Sequence, residues 1–162
     1  MNSISTSSVE FKRPIWQNIV IITLGFWLSA SLLLDWVIMP SLYVSGMMTQ
    51  SSFATAGYTI FWNFNRVELL CAGLVLTGVL ASSKNQFNWQ RSTVILAPVM
   101  LAIALIDTYL LTPQMSAIGL QLNLFEAAEV PANMNLMHGV YWLIEAVKLA
   151  VGGTLFTWYC KR

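Results

Sequence analysis

Seven side chains in this sequence sit where their surroundings do not invite charge or polarity. Asp35, Arg66, Glu68, Asp107, His138, Glu145 and Lys148 each interrupt a stretch of apolar residues. A charged side chain at the centre of a membrane helix costs at least about 2.5–3.5 kcal/mol, so such residues pair, line a watery cavity or bind a ligand. The stretch MNLMHGVYWLIEAVKLAVGG holds the chain's one histidine together with a glutamate and a lysine. His138, Glu145 and Gly152 recur at seven-residue spacing, and Lys148 lies about a fifth of a turn away, so they share one stripe of a helix. Beside it run Gly139, Ala146 and Gly153, small residues of the kind that let another helix approach closely. Glu145 and Lys148, three residues apart, can pair with each other.

The charges do not balance. Four carboxylates face two permanent cations, Arg66 and Lys148, leaving two excess negative charges while His138 is neutral. Unpaired charge in a low-dielectric site is costly. Protonated carboxylates, a charged His138, access to outside water or a bound cation would each relieve it. Two readings follow. One is ion pairing that only holds a bundle together; the other is an outward-facing polar pocket for protons, a cation or a polar head group.

Methionine supplies a second constellation. Met39, Met47, Met48, Met115, Met134 and Met137 fall near the same helix ends as His138. Thioether and imidazole ligands suit Cu(I), which makes Met115, Met134, Met137 and His138 a candidate copper set. The plainer account is that methionine fills helix ends and apolar surfaces. A haem held by His138 with methionine opposite is a further option. The sequence has no GxSxG, HExxH or P-loop motif, and no Glu-x-x-His pair for a di-metal bundle, so nothing local selects an enzyme.

The elements that must position these residues follow from composition. The 162 residues are 57% hydrophobic and 9% charged, against roughly 25% charged in soluble domains. Such a chain cannot cover itself with polar surface, and one four-span integral membrane domain over 1–162 is the economical reading. With a net charge of +1 there is no basic surface to neutralise nucleic-acid phosphates. Four segments, 15–39, 58–81, 93–112 and 135–159, are long enough to cross a hydrocarbon core. The first is too long for a signal peptide's apolar region and has no small-residue cleavage site after it, so it is expected to remain in the mature protein. The spacing predicts that Pro40 and Pro113 end the first and third helices. Ser92 or Thr93 is expected to cap the third and Asn133 the fourth, with a mild kink at Pro98. The cysteines, Cys71 and Cys160, form no framework and are expected to be free thiols.

Orientation follows from lysine and arginine. Lys12, Arg13, Lys84, Arg91, Lys161 and Arg162 flank one side of the spans, and the connections 40–57 and 113–134 carry none. That asymmetry predicts both termini on the cytoplasmic side. The two outer connections, SLYVSGMMTQSSFATAGY and QMSAIGLQLNLFEAAEVPANMN, are semi-apolar and are expected to lie along the interface as short amphipathic helices. The alternating direction of the spans then brings the seven polar residues into the outer half of the bilayer, with only Lys148 near the middle. The tryptophans fall mostly near span ends, as interfacial anchors do.

The order of features resembles a four-helix membrane family named after transmembrane protein 205, from about residue 20 onward. The likeness rests on LLLDWVIMPSLY, on Asp107 six positions before Pro113, and on His138-Gly139 with Glu145 seven positions after the histidine. Members of that family often carry asparagine at the last two polar positions, where this chain has acids. The resemblance implies a four-helix bundle and brings no activity with it.

These readings combine into an all-α membrane bundle. The expected function is non-enzymatic: an accessory, assembly or partner-binding factor in a membrane complex, with an outward polar pocket. The alternative is a metal, haem or proton- or cation-coupled binding or transport role for that pocket; a small membrane oxidoreductase has least in its favour. A plasma or inner membrane is the expected location, with a thylakoid membrane as the other option.

Overall fold

The computed structural model describes residues 15–47, 52–83, 91–117 and 132–161. Every regular element among them is helical. The first helix runs as α1 (Ile15–Ser31), a π-helical segment (Leu32–Ile38) and α2 (Met39–Val44) without a break. Next comes α3 (Phe53–Ser83). The third helix is α4 (Arg91–Ile106), a second π segment (Asp107–Leu111) and a helical continuation over residues 112–117. The last is α5 (Ala132–Cys160). Four helices are long and apolar enough to cross a membrane, with mean hydropathies of 1.8, 1.5, 2.3 and 1.3 in chain order. At about 1.5 Å per residue each exceeds the roughly 30 Å of a hydrocarbon core.

Neither Pro40 nor Pro113 ends its helix. A proline lacks the N–H of the helical ladder, and its ring strikes the carbonyl four residues back. Here a π turn precedes each one and shifts the ladder. The Met39 N–H donates to the Leu34 carbonyl and the Thr112 N–H to the Asp107 carbonyl, both five residues back. The wider turn relieves the carbonyl clash, and each proline follows its π segment by two residues. Helical termini also move: α4 starts at Arg91 and α5 at Ala132, so Ser92, Thr93 and Asn133 lie inside their helices and do not cap them. Pro98 is accommodated within α4. Of the expected interfacial segments, 40–44 and 113–117 prolong the spanning helices, and 118–131 lie outside the described residues.

The helices form a ring in which α1 packs on α3 and α5, and α4 on α3 and α5. Gln17 Nε2–H donates to the Tyr159 carbonyl at 3.0 Å, which fixes the start of α1 beside the end of α5. The end of that ring carrying Ile15, Ser83, Arg91 and Cys160 holds the buried apolar core. Its core includes Val20, Leu24, Trp27, Ala72, Val75, Val79, Ala97, Met100 and Leu155. Two glycines permit this packing. A Cβ on Gly78 would collide with Val20, and one on Gly152 would lie 2.7 Å from Leu28 Cδ2 and 3.1 Å from Met100 Cε. The predicted small-residue stripe is displaced by one position: a Cβ at Gly139 or Gly153 would have nothing within 4 Å, and the close approach falls at Gly152. Because Val20 is stiff at χ1 whereas the tips of Leu28 and Met100 can swing, Gly78→Ala is expected to lower stability by about 1–3 kcal/mol. Gly152→Ala is expected to cost less. Thermal unfolding of the two variants in the same mild detergent checks the order.

Cys71 is buried and Cys160 half-buried, and no disulfide joins them.

Candidate functional site

Four helices each turn an acid inward at one level. On the first, Trp27, Ser31 and Asp35 recur every four residues and are all buried. On α3 the inward face is Asn65, Glu68 and Ala72; the third helix offers Asp107, and α5 offers Glu145, Lys148 and Gly152. Spacings of three and four keep such residues on one helix face.

Lys148 is the hub. Its Nζ donates to Glu68 Oε1 and to Glu145 Oε1, each at 2.5 Å, with the ammonium fully enclosed. The same Glu68 oxygen accepts from Trp27 Nε1–H at 2.8 Å and from Ser31 Oγ–H at 3.1 Å. Charge-assisted bonds of this kind are the strong ones, and they tie α1 and α3 to α5. One turn beyond Ser31, Asp35 Oδ1 accepts from Tyr141 O–H at 2.6 Å. Tyr141 is half-buried and meets the Phe61 ring edge-on, with centroids 6.0 Å apart.

Asp107 is different. Its backbone carbonyl takes the π-turn N–H and lies 3.3 Å from Asn65 Nδ2, which also donates to Thr112 Oγ1 at 2.7 Å. Its carboxylate, 1% exposed, has no hydrogen-bond partner on either oxygen. Asp35 Oδ2 and Glu145 Oε2 are likewise buried without a partner. One oxygen each from Glu68, Asp107 and Glu145 lie within 4.8 Å of one another. Asn65→Leu removes the anchor of the second π segment and is expected to cost about 1–3 kcal/mol, since Thr112 and the Asp107 carbonyl lose a buried donor. Unfolding in detergent reads this loss directly.

Not all seven predicted residues meet. Arg66 is exposed, its guanidinium carbon 4.2 Å from the Trp62 ring centroid. Two residues from Glu68 is about 200° around a helix, which puts the two on nearly opposite faces. His138 is exposed on α5, apart from the triangle of Glu68, Asp107 and Glu145. Of the methionines proposed with it, Met115 and Met137 are half-buried, and the side chain of Met134 lies outside the described residues. The donors gathered at the centre are carboxylate oxygens.

Removing Arg66 from the count sharpens the imbalance. Four buried carboxylates now share one buried cation, an excess of three negative charges if all are ionised. The depth changes as well. α3 starts at Phe53 and α5 at Ala132, ahead of the expected 58 and 135, so Glu68 is the middle residue of the 31-residue α3, and Glu145 lies near the middle of the 29-residue α5. The cluster sits at mid-bundle, deeper than the outer layer the sequence suggested. Past Asp35, Asn65, Thr112 and Glu145, toward the end carrying Val44, Phe53 and Ala132, no described residue is buried. The apolar core therefore lies on one side of the charges, and on the other lie only half-buried and exposed residues among those described.

Sequence reasoning missed Trp27, Ser31, Asn65 and Tyr141 as partners. The signal was present: Ser31 and Trp27 stand four and eight residues before Asp35, Asn65 three before Glu68, and Tyr141 four before Glu145. Trp27 had been expected at an interface with the other tryptophans, and it is 1% exposed. No family model, curated protein or solved structure matches this chain, so the site stands on its own geometry.

Proposed function

We propose that this chain is a non-enzymatic multi-pass membrane protein that binds positively charged species, protons or a metal cation, in its buried carboxylate cluster. The observation that carries the reading is the charge count around Lys148, together with the carboxylate of Asp107 left without a partner. Three uncompensated charges at mid-bundle would cost far more than a folded domain's usual margin, a cost that uptake of protons or a cation relieves. The region with no described buried residue beyond the cluster gives the approach, and Tyr141 stands at its inner edge.

The test is infrared difference spectroscopy paired with elemental analysis of gently purified protein. A protonated-carboxyl band that shifts in Asp35→Asn or Glu145→Gln, or one stoichiometric cation per chain, is the expected result. Protein showing neither would end the reading. An absorption spectrum of the same sample tests the haem alternative.

A partner-binding role is the second reading, and one observation favours it. Within an 18-residue apolar window of each helix, only 22% of the α5 residues are buried, against 39% in each of the other three. A shallow groove lined by Leu149, Ala150, Gly153, Thr154, Thr157 and Trp158 runs along that helix. Small residues and threonine suit a transmembrane helix of a partner protein in an accessory or assembly complex. A photo-crosslinker at Gly153 is expected to give an adduct of defined mass that the same group at Phe26 does not. Equal labelling at both positions would remove this reading.

Cytoplasmic termini, a plasma or inner membrane (or a thylakoid one), and kinship with the transmembrane protein 205 family belong to the same proposal. The lysine and arginine asymmetry supports the first, and cysteine labelling of residues 113–134 from the outer side tests it.

A further inference from the structure

We infer that Glu68, Asp107 and Glu145 form an oxygen-donor site for a hard divalent cation such as calcium, with Lys148 as a tethered cation already bonded to two of the three acids. This rests on the reading above that the cluster takes up positive charge, and it names the ligand class.

Three features point to it. First, the donors come from three different helices and are all carboxylates, a set that favours calcium, manganese or magnesium over soft metals. Second, four carboxylate oxygens, Asp35 Oδ2, Asp107 Oδ1 and Oδ2, and Glu145 Oε2, are buried with no hydrogen-bond partner. Asp107 is the telling one. It is 1% exposed, its partnerless carboxylate supplies one of the triangle's three donors, and Lys148 bonds the other two acids. Third, the three carboxylates are buried, and calcium, which takes protein oxygens in flexible geometry, suits such a site better than magnesium, which dehydrates reluctantly.

Charge favours a divalent ion over a monovalent one. The excess is three, so a divalent ion removes two of those charges within the same volume. Lys148 sets the strength of the site by competition. Its ammonium holds one oxygen each of Glu68 and Glu145, and those acids must divide their negative charge between it and the metal.

The experiment is equilibrium dialysis of the full chain in non-ionic detergent against CaCl2, MnCl2 or MgCl2, each alone at constant ionic strength. Wild-type protein is expected to bind one calcium per chain, with magnesium weaker by roughly tenfold or more. Asp107→Asn, which removes one of the excess charges, is expected to unfold no earlier than wild type in the absence of metal and to lose at least about tenfold in calcium affinity. Lys148→Met is expected to bind calcium more tightly than wild type and to be recovered in larger folded yield when calcium is present during purification. Equal calcium binding by wild type and Asp107→Asn overturns the inference. Failure of the wild type and of Lys148→Met to bind any of the three ions overturns it too. In that last case a protonated-carboxyl infrared band leaves the broader reading standing with protons alone; absence of the band and of any stoichiometric cation removes both.

Discussion

Lys148→Met is expected to lower metal-free stability by about 3–5 kcal/mol, the usual cost of removing one partner from a buried ionic network. The substitution nearly conserves apolar volume, so lost packing contributes little. What it removes is the cation that Glu68 and Glu145 share at 2.5 Å each. Neutralising both acids in the same chain, as Lys148→Met with Glu68→Gln and Glu145→Gln, is expected to restore most of the loss. A buried ionic network can often be replaced whole at little cost even though its halves cannot. Thermal unfolding in detergent, with the fraction of monodisperse protein as a second readout, compares the two. A single variant that melts with the wild type would show that Lys148 is not the electrostatic hub.

Glu68→Ala carries the next largest effect. One oxygen of this carboxylate gathers Trp27, Ser31 and Lys148, so truncation strands three buried donors at once. Each stranded donor costs on the order of 1–3 kcal/mol, and a total of about 3–6 kcal/mol is expected because Lys148 retains Glu145. Glu68→Gln keeps an acceptor in place and is expected to lose less than half as much. Trp27 offers a local reporter: its fluorescence should shift in Glu68→Ala and stay near the wild-type position in Glu68→Gln. Equal destabilisation by both substitutions would mean that charge, and not the number of donors served, governs the site.

Much of this could be read from residue order alone, and the misses have physical causes. The spans were legible because about 20 apolar residues have few other uses, and the inward stripe of Glu145, Lys148 and Gly152 because helical angles are fixed. Arg66 was assigned to the pocket by depth alone, although its angle relative to Glu68 already pointed it outward. His138 followed the stripe to its end, where the helices no longer bury one another, and so it is exposed. The helical boundaries failed at Pro40 and Pro113 because a π turn, which no local propensity announces, lets the chain pass a proline. The depth changed for a separate reason: α3 begins at Phe53 and α5 at Ala132, earlier than expected, which puts Glu68 at mid-bundle.

The bond between Lys148 and Glu68 joins residues 80 apart in the chain, and this bears on how the protein is made. Its last helix is the least apolar of the four, with a mean hydropathy of 1.3, and carries a glutamate and a lysine near its middle. A lysine there costs about 2.5–3.5 kcal/mol when a helix leaves the translocon for lipid alone. The acid that offsets this cost is already in the bilayer by then, because α3 is synthesised first. Insertion of α5 is therefore an act of assembly onto earlier helices. A ribosome that stops before Lys148 leaves Glu68 without its cation, a defect inside the membrane that quality-control proteases can recognise.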